Sequence, residues 1–277
     1  MAKIIAICNQ KGGVGKTTTA INLSAYLAIS GKRVLLIDTD PQGNATSGLG
    51  INKHSIKTSI YDLIIDEIDP KPIIISTSVD NLFLIPSTLS LTGAEVELVG
   101  IMGREYRLKK AISPLSAEYD YIIMDCPPSL GLLTVNALAA ANSVLIPIQC
   151  EYYALEGLSQ LVNTINLVKD NINSALYIEG VLLTMADFRT NLTNEVINEA
   201  RKVFKEKVYN TVIPRNIRLT EAPGFGKPVA IYDKLSIGAT KYQEFSNELL
   251  GINKETVDKP VNTVDNTLQN NQLEKVG

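Results

Sequence analysis

One stretch near the N-terminus constrains the fold more than any other: residues 9–18 read N-Q-K-G-G-V-G-K-T-T. The stretch follows an apolar run, residues 4–7, and precedes a segment rich in Ala and Leu with helical spacing, residues 20–28. Strand, glycine-rich loop and helix in this order predict a phosphate-binding loop, because glycine lets backbone N–H groups converge on a phosphate. The positive end of the helix dipole adds to this attraction.

Individual residues of the loop have expected tasks. The glycines Gly12, Gly13 and Gly15 let the backbone approach the ligand closely. Lys16 supplies a positive charge to the phosphates, and the Thr17 hydroxyl is placed to contact a magnesium ion. The sequence therefore predicts a nucleoside triphosphate as the ligand.

The usual phosphate-loop pattern, G-x-x-x-x-G-K-[ST], fails at its first position, where this chain has Gln10. The chain reads K-G-G-x-G-K-T-T instead, with an additional lysine at Lys11, and this resembles the deviant Walker A loop of the ParA/MinD family of ATPases. The resemblance implies an α/β fold of the P-loop NTPase type: a doubly wound, mostly parallel sheet with helices on both faces, which binds ATP and Mg²⁺. The nucleotide contacts that it implies are Lys11, Gly12, Gly13, Val14, Gly15, Lys16, Thr17 and Thr18.

Carboxylates follow two further apolar runs of the chain. One run leads into D-T-D-P-Q-G-N, which begins at Asp38, and the other ends at Asp125. Strands of a parallel sheet place such residues in the ligand-binding crevice, although Asp38 and Asp40 alone could equally be turn residues. The resemblance implies that Asp38 supports the magnesium shell and Asp40 positions the attacking water. Asp125 is expected to join Thr17 and Asp38 around Mg²⁺, because this ion keeps several waters and takes few direct protein ligands.

Hydrophobic spacing predicts the remaining elements. Strands are expected at 4–7, 33–37, 81–85, 121–125, 143–148, 177–183 and 208–213, and helices at 20–28, 58–65, 94–101, 104–112, 154–168, 193–205 and 238–250. Asn216 is expected to cap a short helix after the last strand. Beyond residue 251 the chain becomes polar and rich in Asn. We therefore predict a ParA-like ATPase domain, residues 1–251, and a disordered polar tail, residues 252–277.

Composition narrows the classes of function. Cys8, Cys126 and Cys150 stand apart in apolar runs and His54 is the one histidine, so buried thiols are expected rather than disulfides or a zinc site. The chain has no leader pattern and no apolar segment of the ~20 residues that span a membrane, so a cytoplasmic protein is expected. A net charge of −3 argues against a uniformly basic DNA-binding surface, and any DNA contact requires a local patch.

Such a patch lies in the C-terminal third, where residues 186–227 contain eight cations and five acids. From the residues alone this excess is typical of an ordinary solvated surface. By resemblance, Arg189 and Arg218 match positions at which the chromosome-segregation branch of the family contacts DNA phosphates, and Lys227 is a third candidate. The segment Pro214-Arg215-Asn216, at the carboxyl end of a predicted strand, resembles the P-R-N segment that frames adenine.

The family resemblance also implies a catalytic cycle. Lys11 reaches across a dimer to the partner's nucleotide, and it acts with Lys16 and Asp40 in hydrolysis. The implied partners are a second copy of the chain when ATP is bound, non-specific DNA of the nucleoid and a ParB-type centromere-binding protein, with no membrane. Chromosomal or plasmid origin and the partner's identity stay open.

Three alternative functions have requirements that the sequence does not meet. A MinD-like membrane ATPase would need a membrane-binding helix, and the apolar positions of the tail are interrupted by Pro260 without a flanking lysine cluster. A nitrogenase-type iron protein would need cysteines placed to share a cluster across a dimer, which Cys126 does not provide. An amide-forming metabolic ligase on the same fold would require a pocket for a carboxylate substrate, for which the sequence offers no candidate residues.

Overall fold

The computed structural model describes residues 1–151 and 158–252. Its strands are β1 Lys3–Ile7, β2 Val34–Asp38, β3 Ile75–Ser76, β4 Leu82–Ile85, β5 Tyr121–Asp125, β6 Ser143–Gln149, β7 Tyr177–Ala186 and β8 Val208–Pro214. They form one sheet in the order β3-β4-β2-β5-β1-β6-β7-β8. All neighbours are parallel except β3, which is antiparallel to β4.

Helices cover both faces of this sheet. They are α1 Lys16–Ile29, α2 Asn44–Gly48, α3 Ile60–Ile65, α4 Leu91–Glu97, α5 Arg107–Ile112, α6 Leu132–Ala140, α7 Leu158–Asn171, α8 Asn191–Phe204, α9 Ile217–Glu221, α10 Val229–Tyr232 and α11 Ile237–Leu249. The predicted doubly wound, mostly parallel α/β architecture is confirmed.

The central strand β1 shows why the sheet needs helices on both sides. Its side chains alternate, so Ile4 and Ala6 enter the core shared with α3 to α8, and Ile5 and Ile7 enter the core shared with α1 and α11. All four are buried. A strand buried on both faces is read in the sequence as a continuous apolar run, and this is the pattern from which β1, β2 and β5 were predicted.

Two predicted helices have different bounds in the structure. The helix expected over 94–101 is α4, which starts three residues earlier and gives way to the 3₁₀ turn Leu98–Gly100. The helix expected over 104–112 opens with the 3₁₀ turn Arg104–Tyr106 before α5 begins. Gly103 separates the two segments with a left-handed φ of 67°. Apolar spacing alone does not distinguish a tight 3₁₀ turn from the α-helix that it extends.

Helix α6 was not predicted. It has buried residues on nearly every side, because it lies between the sheet and α4, α5 and α7. A helix that is apolar all round has no amphipathic period to reveal it. The short elements β3, α2 and α10 were also missed. Residues 154–157 of the helix predicted over 154–168 and residues 253–277 of the predicted tail lie outside the described residues.

Candidate nucleotide site

A cavity of 770 Å³ opens at the carboxyl ends of the strands. It brings together most of the residues that the sequence predicted to contact nucleotide, although they come from distant parts of the chain. The predicted residues that line it are Gly12, Gly13, Gly15, Lys16, Thr17, Thr18, Asp40, Pro214, Arg215 and Asn216. Val14 is buried beneath the loop, and Lys11 is not among the lining residues. The volume is within the range of pockets that enclose small-molecule ligands.

The loop backbone has the conformation that the glycines allow. Gly13 and Gly15 have φ values of 75° and 89°, in the left-handed region that favours glycine. Gly15 is the N-cap of α1, and no side chain caps the helix. The first N–H groups of α1 therefore lie at the cavity without a capping side chain, in the arrangement that binds phosphate at a helix N-terminus.

Lys16 is folded into the loop. Its side chain is buried, and its Nζ donates a hydrogen bond of 3.1 Å to the carbonyl oxygen of Lys11. Burial lowers the pKa of Lys16, and the charge of Asp125 opposes that shift. A desolvated ammonium held by a neutral carbonyl gains a large electrostatic stabilisation when an anion enters.

Two residues that sequence reasoning missed fix the loop to the sheet. Asn9 donates from Nδ2 to the carbonyl of Pro147 in β6 at 2.7 Å and accepts from the Lys11 N–H at 3.0 Å. Thr184 in β7 donates to the carbonyl of Val14 at 2.8 Å. Only the pairing of β1 with β6 and of β6 with β7 reveals these contacts, which join residues 138 and 170 positions apart.

Asp38 anchors the segment that follows β2. One carboxylate oxygen accepts from the N–H and the hydroxyl of Thr46, at 2.8 and 2.7 Å, and the other accepts from the N–H of Asp40 at 3.2 Å. Burial raises the pKa of Asp38 to about 6 despite these hydrogen bonds. Both oxygens are engaged by protein donors, so Asp38 holds α2 in place. Asp38 and Asp125 are fully buried, and neither is among the residues that line the cavity.

Asp125 differs from Asp38 in having no such partners. It is the register neighbour of Asp38, is fully buried, and neither of its carboxylate oxygens has a hydrogen-bond partner among the described residues. Burial and the adjacent Asp38 raise its pKa well above the usual range, although the Thr17 side chain and the charge of Lys16 oppose the shift. A buried carboxylate without partners is costly unless a cation or its bound water satisfies it. The donor set of Thr17, Asp38 and Asp125 thus fits the hard, oxygen-bound Mg²⁺ ion.

Asp40 lines the cavity and is nearly buried. Its Oδ1 accepts from the N–H of Gln42 at 2.9 Å, which fixes the carboxylate in one orientation. Gln42 and Asn44 line the cavity beside it. The arrangement can hold a water molecule close to a bound phosphate.

The opposite end of the cavity is formed by the segment after β8. Asn216 accepts from the Arg218 N–H at 3.0 Å and caps α9, as predicted. Met185 and Tyr242 also line the cavity, and no sequence pattern indicates that they belong to a site. Met185 lies beyond the predicted end of its strand and has an unusual left-handed φ of 53°, at an irregularity of the β7–β8 pairing. Such strained backbone is typical of ligand-binding positions.

Known proteins are similar in sequence to this chain over 90% of its length. A family model described as an AAA domain matches residues 2–178. The sporulation initiation inhibitor protein Soj of Bacillus subtilis strain 168 is 61% identical over 249 residues, which cover 90% of this chain and 98% of Soj. The chromosome partitioning protein ParA of Myxococcus xanthus strain DK1622 is 56% identical over 250 residues, which cover 90% of this chain and 88% of ParA.

The chain belongs to the ParA/Soj family of partitioning ATPases. A solved structure of a protein named for a different activity has the same fold. It is cobyrinic acid a,c-diamide synthase from Mycobacterium smegmatis with bound ADP and magnesium. That structure superposes with a TM-score of 0.80 at 37% identity and covers 90% of this chain and 94% of the synthase. Within the part of the chain that the structure describes, no helix is both long enough and apolar enough to cross a bilayer.

The candidate DNA contacts of this ParA/Soj family member lie outside the cavity lining. Arg189 follows β7 and Arg218 follows β8, and the pairing of Ala186 with Pro214 places the two segments side by side at one edge. Arg189 has an 88% exposed side chain and donates to both oxygens of Asp187, at 2.8 and 2.6 Å. Its guanidinium is therefore displayed to solvent but already paired.

Arg218 and Lys227 differ in their partners. Arg218 forms ion pairs with Glu221 at 2.8 Å and with Asp233 at 3.1 Å. Lys227 is exposed and forms no ion pair within the ranges that the structure describes. The structure also confirms that Cys8, Cys126 and Cys150 are buried free thiols and that His54 is exposed.

Proposed function

We propose that the chain is an ATP-dependent DNA-partitioning protein. ATP binding drives dimerisation and non-specific DNA binding, and slow hydrolysis, stimulated by a ParB-type partner, releases the DNA. The observation that carries this proposal is the position of Lys11. The loop builds a cavity for nucleotide, yet its additional lysine is not among the residues lining the cavity of its own chain. A lysine that the cis site leaves out is suited to act on a second copy.

The residues of the cavity supply the parts that phosphoryl transfer needs. The loop N–H groups and Lys16 hold the phosphates, and the fixed carboxylate of Asp40 orients the attacking water. Thr17, Asp38 and Asp125 would hold Mg²⁺, and the ion would supply neutralisation of the charge on the phosphate oxygens. Lys11 of the second copy then acts as an arginine finger does, and such groups contribute about 10³- to 10⁵-fold in rate. Hydrolysis is therefore slow in the monomer.

DNA binding is assigned to Arg189, Arg218 and Lys227. The ion pairs of Arg189 and Arg218 are exposed, so each contributes little to stability and exchanges readily for a phosphate. Contacts of this type position the protein on DNA without reading its sequence. A cytoplasmic protein associated with the nucleoid follows from this assignment.

The competing function is the amide-forming ligase, because a synthase of that class shares the fold. Binding of fluorescently labelled duplex DNA, measured with ATP, with ADP and without nucleotide, separates the two. The partitioning protein binds DNA tightly only with ATP. Three cations from each protomer of a dimer predict a loss of about 10³-fold in affinity between 50 and 200 mM salt. Equal DNA binding in all three nucleotide states would overturn the proposal.

A further inference from the structure

Glu151 joins the two ends of the nucleotide site. It lies two residues after β6, and its Oε2 is 3.6 Å from the Nζ of Lys11. Its Oε1 accepts from Arg215 at 2.8 Å and from the Nε2 of Gln149 at 2.6 Å. One carboxylate thus binds the loop lysine on the phosphate side and the arginine beside the base side, and the proposed function assigns it no role.

We propose that Glu151 is a positioning residue that holds Lys11 against its own chain until nucleotide and a second copy are bound. The inference rests on the proposed function, because it takes Lys11 as the residue that acts on the partner's nucleotide. In the nucleotide-free protein Glu151 keeps this lysine in cis. On dimerisation Lys11 exchanges the Glu151 carboxylate for the phosphates of the partner's ATP, and this exchange stabilises the dimer.

The contacts of Glu151 give a way in which bound nucleotide weakens the Lys11–Glu151 ion pair. The two hydrogen bonds to Oε1 fix the carboxylate so that Oε2 faces Lys11. Arg215 also lines the cavity. A nucleotide that draws Arg215 into the cavity removes one of the two bonds that orient Glu151, and this loosens its hold on Lys11. Nucleotide binding at the base end of the cavity thereby weakens the contact between Glu151 and Lys11 at the phosphate end.

The Lys11–Glu151 ion pair is strong enough to shift the dimerisation equilibrium but too weak to prevent dimerisation. The side chains of Lys11 and Glu151 are 38% and 41% exposed, and exposed ion pairs shift an equilibrium by about two- to fivefold. A polyphosphate competes successfully with a contact of this size. Removing the contact is therefore expected to favour the ATP dimer by the same factor.

The test replaces Glu151 by glutamine, which keeps the side-chain size and one acceptor oxygen for Arg215 and Gln149. It removes the charge and the second acceptor oxygen, which faces Lys11. Dimer dissociation constants are measured by sedimentation equilibrium with Mg²⁺ and a non-hydrolysable ATP analogue. E151Q is expected to dimerise about two- to fivefold more tightly than the wild type. The matched control is E199Q, which removes an exposed glutamate that pairs with Lys202 on α8, and it is expected to leave the constant unchanged.

A double-mutant cycle shows whether Glu151 acts through Lys11. In a Lys11→Gln background, measured at protein concentrations high enough to populate its weaker dimer, E151Q is expected to leave the dissociation constant unchanged, and a persisting effect would overturn the inference. Unchanged or weaker dimerisation of E151Q in the wild-type background would also overturn it. If the wild type itself forms no ATP-dependent dimer, the proposed function fails, which distinguishes the two outcomes. Thermal unfolding checks that all variants are folded.

Discussion

At the scale of single residues, Asp125 is the costliest group of the site. It is fully buried, beside Asp38, and its two carboxylate oxygens have no hydrogen-bond partner among the residues described. Because its pKa is raised in the folded state, folding binds a proton that the unfolded chain releases. The free energy of unfolding of the nucleotide-free protein therefore decreases as pH rises from the unfolded pKa towards the folded pKa.

Asp125→Asn should accordingly stabilise the nucleotide-free protein while impairing its chemistry. At pH 8 we expect an increase of about 1 to 3 kcal/mol in the free energy of unfolding, because the substitution removes a carboxyl group whose ionisation is opposed by burial and by Asp38 more than it is favoured by Lys16. The gain should shrink as pH falls, since the wild-type carboxyl is then protonated. ATPase activity should decrease about 10- to 100-fold through weaker magnesium binding. Urea unfolding at pH 5 and 8 and steady-state turnover measure these effects.

A destabilised Asp125→Asn variant at pH 8 would contradict this account, because it would mean that the carboxylate is satisfied in the free protein.

The acidic residues of the site show how much of it can be predicted from the sequence. Asp38, Asp40 and Asp125 could be identified as candidate site residues because Asp38 and Asp125 end apolar strands and Asp40 lies two residues beyond one. Asn9 and Thr184 were not, because each becomes recognisable only when distant strands pair.

At the scale of elements, two glycines bring the segment after Asp40 against the base end of the site. A Cβ on Gly226 would lie 2.5 Å from the Cα of Gly50, and Gly226 has a left-handed φ of 64°. Gly50 follows α2, and Gly226 ends the 3₁₀ turn Ala222–Phe225. The two backbones therefore touch in a way that no side chain permits, and this contact fixes Pro223 at the cavity.

Gly226→Ala should weaken this contact for two reasons. The new Cβ would clash with the backbone of Gly50, and alanine is strained at a left-handed φ. We expect a loss of about 1 to 3 kcal/mol in the free energy of unfolding and a higher KM for ATP. Gly224→Ala is the matched control in the same turn, because a Cβ there meets nothing within 4 Å. Urea unfolding and ATPase kinetics of both variants give the measurement. Equal stability of the two variants would show that the backbones can separate without cost.

The elements that sequence analysis located well are those with a plain physical signature. Strands β1, β2 and β5 are buried on both faces and read as apolar runs, and α8 and α11 have one polar and one apolar side. Helix α6 was missed because neighbours on several sides remove its polar face. The glycine contact was not predictable, since a close approach of two backbones leaves no periodic pattern.

At the scale of the whole molecule, the doubly wound fold was predictable because the phosphate loop, its flanking elements and the continuous strands all indicate the same architecture. The proposed ATP-bound dimer was predicted only through resemblance. Lys11 is bound to Glu151 of its own chain in the structure, so its proposed action on a second copy requires a change that a single chain does not display.

Gly12→Val tests whether two loops meet at this point. Gly12 is exposed, its φ is not left-handed and an added Cβ meets nothing within 4 Å, so the monomer should accept the side chain. ATP affinity should stay within about threefold of the wild type, because the phosphate-binding N–H groups are retained. Dimerisation should weaken by about 10-fold or more, because a branched side chain stands where the second loop would pack.

Sedimentation velocity with ATP and Mg²⁺ measures this loss, and a fluorescent ATP analogue measures nucleotide affinity in the same samples. Gly100→Val is the control, since that glycine is also exposed with open space around its Cβ but lies on the turn after α4, away from the cavity. A normal ATP dimer of Gly12→Val would place the dimer interface elsewhere. Loss of the dimer with retained ATP binding would instead indicate that the two nucleotide sites face each other across the interface.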